Sequence, residues 1–144
     1  MAGSVEQEGN IRKYEEIGTH PAANHNAIAV ALAFHRAIGA DRKIARLRLL
    51  RDRWAMRLLA ESDRVHMLTP IGPNESGAIG VVAIDGMDIG KLQGWLYSKY
   101  RIVTTPLIHP EFQGLRVTPS VYTSLDEVDT FTDRMLDAIR RGVA

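Results

Sequence analysis

The chain has 144 residues, 45% of them hydrophobic, which is enough to bury one sizeable core and too few for two. A formal net charge of +1 with 24% charged residues gives no bulk electrostatic pull toward nucleic acid or anionic lipid, so any anion binding must be local. There is no cysteine, which removes disulfides, thiolate catalysis and cysteine-ligated metals.

Residues 1–12 are small and polar, the composition of a flexible tail. The start MAGSVEQEGN is acidic rather than basic-then-apolar, and no run approaches the ~18 apolar residues of a membrane span. A cytoplasmic protein with no membrane partner is expected. Residues 13–144 read as a single domain. The alanine-rich AIAVALAFHRAIG predicts a buried helix from about Asn24 to Ile38, with Asn24 or Asn26 as N-cap and Gly39 as its stop. Asp41 then caps a second helix, in which Ile44, Leu47, Leu50, Trp54 and Leu58 form an apolar stripe.

The other faces of that helix carry Arg42, Arg46, Arg48, Arg51, Arg53 and Arg57. Such a run is either a phosphate-binding surface or a solvated face whose long stems cover apolar neighbours. No aromatic platform or groove motif accompanies the arginines, which favours the solvated face and no nucleic-acid partner.

Beyond Glu61 the period changes. VHMLT and GAIGVVAI read as strands joined by the turn-rich PIGPNES. Asp85 or Asp88 starts a helix over IGKLQGWLYSKY, RIVTT is a short strand, HPEFQ a connection and GLRVT a further strand. Ser124 and Glu127 then make a capping box, ahead of a stripe of Val128, Phe131, Met135 and Ile139 at helical spacing. The order predicts an α+β fold, a small antiparallel sheet covered by helices on one face.

His20 and His25 flank a proline-containing segment and His109 precedes Pro110-Glu111, but neither spacing is a metal-ligand pattern, so no metal site is predicted. His35 and His66 lie in apolar segments and read as hydrogen-bonded structural residues. The glycines of GPNESGAIG read as turn residues rather than a dinucleotide loop. No serine sits in a Gly-x-Ser-x-Gly elbow, so serine hydrolase chemistry has no support. Trp54, Trp95 and Tyr97 read as core or interface aromatics.

One arginine stands apart. Pro119 has no N–H and forces Thr118 into an extended conformation, so the GLRVT strand ends near Thr118 with Arg116 close to its end. If Leu115 and Val117 face the core, Arg116 points away from it. A guanidinium there suits bidentate grip of a carboxylate, and it equally suits a surface ion pair with Asp126 or Asp129. Chemistry alone favours the ion pair.

The segment Gly114-Leu-Arg-Val-Thr-Pro-Ser-Val-Tyr-Thr-Ser-Leu-Asp-Glu-Val-Asp129 resembles the C-terminal signature of class V aminotransferases, the pyridoxal-phosphate group that includes cysteine desulfurases and isopenicillin N epimerase-like proteins. A second match lies upstream: Tyr14-Glu15-Glu16-Ile17-Gly18-Thr19, then an alanine-rich helix and Ile38-Gly39-Ala40-Asp41, is similar to the family's Glu-x-Gly-Thr segment and its following helix. Two separated motifs in the right order are more specific than either alone. The turn Tyr122-Thr123-Ser124 departs from the family's Tyr-Asn-Thr, and His20-Pro21 replaces the residues usual after the Gly-Thr.

This resemblance implies the C-terminal small domain of a fold type I, pyridoxal-phosphate-dependent enzyme acting on an amino acid or keto acid. It implies that Arg116 binds the substrate α-carboxylate. It also implies that Gly18 and Thr19 reach across a dimer interface to the cofactor phosphate. The chemistry needs a lysine that binds the cofactor, which the family carries upstream after a histidine. Lys13, Lys43, Lys91 and Lys99 are the only lysines, and none follows a histidine. The chain alone is therefore expected to be inactive, as a fragment that works in a homo-oligomer or with a complementary large-domain chain. The alternative is a non-catalytic binding or assembly module that kept the small-domain fold.

Overall fold

A computed structural model describes residues 9–10, 18–19, 21–72 and 75–143. Most of the expected tail, Lys13, the Tyr14 to Ile17 part of the upstream motif and His20 lie outside the described residues. The chain divides into two compact units, residues 1–39 and 40–144.

The first unit holds helix α1, Ala22–Ile38. Its N-cap is Pro21, with no side-chain cap, rather than Asn24 or Asn26. Proline's fixed φ suits a helix entrance, so the cap lies three residues before Asn24 and five before Asn26. Gly39 stops it at φ 84°, its N–H bonded to the His35 carbonyl. The expectation of a buried helix fails, because no residue of α1 is buried. Apolar composition gives a helix something to bury but does not supply the surface that buries it.

The second unit contains α2 (Ala40–Glu61), β1 (Val65–Met67), β2 (Gly80–Ile84), α3 (Ile89–Tyr100), β3 (Thr105–Ile108), β4 (Gln113–Val117) and α4 (Leu125–Arg141). The strands form one antiparallel sheet in the order β1-β2-β4-β3. This is the predicted α+β arrangement. Val65, Val82, Ile84, Leu115 and Val117 on one sheet face share a core with Leu50, Trp54 and Leu58 of α2, Ile89, Leu92 and Leu96 of α3, and the α4 stripe.

Helix starts follow local chemistry. Asp88 caps α3 by accepting from the Lys91 N–H at 2.9 Å. Ser124 and Glu127 form the full capping box of α4, and Val128, Phe131, Met135 and Ile139 are all buried. Asp41, expected as the cap of α2, sits instead in its first turn, where a carboxylate favours the positive end of the helix dipole.

RIVTT is not a strand. Arg101 adopts a left-handed conformation (φ 59°) and its N–H caps the last carbonyls of α3, so the extended segment is delayed to Thr105. Pro106 is accommodated within β3 because β3 lies at a sheet edge, where a missing N–H costs no ladder bond on the open side. The close packing of α2 on the sheet rests on Gly80, since a Cβ there would stand 2.7 Å from the Trp54 ring.

Candidate functional site

Arg116 is the middle member of a row across three strands, opposite Val81 of β2 and Thr105 of β3. The alternation of β4 buries Leu115 and Val117 and exposes Arg116, which therefore stands on the face away from the core. The next row on that face runs Leu107, Gly114, Ala83, His66. The core residues of α2, α3 and α4 all pack with the opposite face, so no helix of the 40–144 unit covers this one.

Among the described residues the guanidinium makes one hydrogen bond, from Nη2 to the Thr105 hydroxyl at 3.3 Å. The expected ion pair with Asp126 or Asp129 is not formed. Asp129 is instead held by Arg53 through two bonds of 2.6 Å, which push its carboxyl below the usual range and raise Arg53 in turn. Asp126 adds its charge to the field around Arg53. Among the described residues Arg116 makes no ion pair.

Gly18 and Thr19 belong to the 1–39 unit. Gly18 has φ 96°, a conformation that favours glycine, and Thr19 is exposed. An exposed hydroxyl beside loop N–H groups is a neutral donor set of the kind that phosphate oxygens accept from.

Arg51 was missed by the stripe read from the sequence and is wholly buried. Its Nη1 donates to the carbonyls of Ser76 and Gly77, both at 3.1 Å, and to the Ser76 hydroxyl, while Nη2 donates to the Ile71 carbonyl at 3.3 Å. Asp52 balances the charge at 2.7 Å. The solvated-face reading of the α2 arginines fails for Arg51. It fails in part for four others, among them Arg48, which donates to the Ser76 carbonyl at 3.1 Å. Arg46 donates to the Thr123 carbonyl, while Arg53 and Arg57 bridge α2 to Asp129 and Asp133 of α4. The signal was present in the spacing, because Ile44, Leu47, Arg51, Trp54 and Leu58 recur at alternating steps of three and four.

Two of the described histidines sit beside other groups. His109 stacks on Phe112 and accepts from the Glu111 N–H, and His66, expected in a structural role, is exposed and paired with Asp85 at 2.8 Å. Among the described residues no group of three or more His, Asp or Glu is placed to hold a metal ion, and no helix is long and apolar enough to cross a membrane.

No family model matches the sequence. Isopenicillin N epimerase from Streptomyces clavuligerus is 33% identical over 132 residues, 90% of this chain and 32% of that protein. A probable hercynylcysteine sulfoxide lyase from Mycobacterium tuberculosis (strain CDC 1551 / Oshkosh) is 35% identical over 118 residues, 76% of this chain and 29% of that protein. The chain's homologues are class V pyridoxal-phosphate enzymes. It spans about a third of the length of the curated relatives it matches, and so corresponds to a part of a class V enzyme. The class V fold is matched as well: the apo cysteine desulfurase of Thermococcus onnurineus NA1 superposes with a TM-score of 0.76 at 20% identity, over 87% of this chain and 33% of that one.

Proposed function

We propose that this chain supplies the small-domain part of a pyridoxal-phosphate-dependent class V enzyme acting on an amino acid or keto acid. Arg116 grips the substrate α-carboxylate through two parallel N–H···O bonds. Gly18 and Thr19 donate to the cofactor phosphate of another subunit. The observation that carries this reading is the state of Arg116: an exposed guanidinium with one neutral hydrogen bond among the described residues, on a sheet face that no helix of the 40–144 unit covers, while Asp129 is engaged by Arg53.

Pyridoxal phosphate, when bound, supplies an electron sink for chemistry at the carbon that bears the amino group. This chain's contribution is recognition. Backbone pairing on both sides of β4 fixes the stem of Arg116, and its planar fork matches a carboxylate and stays charged at any relevant pH. Of the described lysines, Lys43 lies in α2 and Lys91 and Lys99 in α3, so the lysine that binds the cofactor is assigned to a complementary large domain. The chain works in an oligomer in the cytoplasm and is inactive alone.

The test is kinetic. Combined with a large-domain chain and pyridoxal phosphate, Arg116→Ala is expected to lower kcat/KM for the amino-acid substrate on the order of 100-fold, the value of two charge-assisted hydrogen bonds. An unchanged kcat/KM in that complex would sink the assignment. A second reading, a non-catalytic assembly module, is favoured by one observation: α1 exposes Ile28, Val30, Leu32 and Phe34. It expects defined oligomers that retain no pyridoxal phosphate.

A further inference from the structure

Thr105 stands directly opposite Arg116 across the β3–β4 ladder, and its hydroxyl accepts from Nη2 at 3.3 Å. Two local constraints fix where that hydroxyl sits. The ladder sets the register of Thr105, and Pro106 keeps the residue before it extended. On its other flank Arg116 faces Val81, whose side chain has no polar atom. The neighbouring row on the same sheet face, Leu107, Gly114, Ala83 and His66, holds no carboxylate. Thr105 is therefore the one side chain in these two rows that bonds the guanidinium.

An exposed arginine loses much rotamer freedom when it closes on a ligand, and a neighbour that already narrows its choices lowers that cost. The particular nitrogen matters as well. A guanidinium can present two forks, Nε–H with one Nη2–H, or the other Nη2–H with an Nη1–H. Nη2 gives one hydrogen to each fork. A hydroxyl bonded at Nη2 consequently occupies one fork and leaves the other whole.

We infer that Thr105 is a positioning residue for the carboxylate site, its hydroxyl holding the Arg116 guanidinium so that a single fork is left for a carboxylate. The inference rests on the role proposed for Arg116 and adds to it the residue that aims it.

The experiment titrates pyruvate into the ¹⁵N-labelled full chain and follows the Arg116 Nε–H signal in wild type, Thr105→Val and Thr105→Ser. Thr105→Val keeps the branched shape that a strand favours and removes the acceptor, whereas Thr105→Ser keeps the acceptor and loses the branch. The expected result is a Kd about fivefold higher in Thr105→Val, the worth of one modest hydrogen bond, with the wild-type value retained in Thr105→Ser. A role in strand shape alone gives the reverse order, with the serine variant weakened and the valine variant unchanged. Equal Kd values in wild type and Thr105→Val, or a loss of affinity in Thr105→Ser, overturn the inference and leave the assignment of Arg116 standing. A wild-type signal that ignores pyruvate overturns both.

Discussion

Arg51 of α2 and Arg116 of β4 carry the same guanidinium in opposite circumstances. Arg51 is wholly buried and spends its donors on three backbone carbonyls, a serine hydroxyl and Asp52. Arg116 is exposed and has one weak bond to Thr105. A charge removed from water must be fully paired, so burial of Arg51 is possible only because the carbonyls of Ile71, Ser76 and Gly77 turn toward it. The exposed arginine is under no such constraint and keeps its donors for something outside the chain. One side chain builds the fold, and the other is held out by it.

The contrast breaks most visibly at Arg51. Arg51→Ala leaves the carbonyls of Ile71, Ser76 and Gly77 without their donor and is expected to cost about 3–5 kcal/mol in denaturant unfolding. A loss near that for an exposed arginine would remove the distinction between the two.

A smaller effect is expected at the start of α4. Ser124→Ala removes the side-chain half of the capping box and is expected to cost about 1 kcal/mol, read in the same unfolding experiment. The strand that holds Arg116 leads through Pro119 into this cap, so the variant also asks whether the cap or the sheet fixes Arg116.

The acid limb of stability gives the next contrast. Ser124 holds Glu127 below the usual carboxylate range, and Arg53 does the same for Asp129. Groups whose folded pKa is depressed contribute stability that is complete above their unfolded values, about 4 for carboxylates, and that is lost as pH falls through the lower folded values. Thermal melts of wild type should therefore decline on acidification below that range, and Glu127→Gln should flatten the decline. An identical acid slope in the variant would show that the cap carries no proton linkage.

The smallest effect on folding belongs to Arg116. Arg116→Ala is expected to change stability by less than about 0.5 kcal/mol, as surface substitutions do.

Much of this arrangement was legible in the sequence where it is set by neighbours along the chain. The Ser124–Glu127 box, the Asp88 cap and the α4 stripe are local, and each was found where its residues stand. The alternation of Leu115, Arg116 and Val117 correctly put the arginine off the core. Features that depend on distant partners were not legible. Asp129 was a plausible partner for Arg116 until Arg53, 76 positions away, took it. One local feature was missed as well: the left-handed Arg101 caps the end of α3 and delays the expected strand, and no residue type there announces it, since Arg rarely takes that conformation. The roles given to Gly18, Thr19 and Arg116 came from resemblance, since chemistry alone favoured an ion pair.

The most direct test compares the two arginines in one sample. Pyruvate is titrated into the ¹⁵N-labelled chain while the side-chain Nε–H signals of Arg116 and Arg51 are followed, with acetone as the neutral control. The account predicts a saturable shift of the Arg116 signal with pyruvate, little change with acetone, and a stationary Arg51 signal. An Arg116 signal that ignores pyruvate, or two arginines that respond alike, would contradict it.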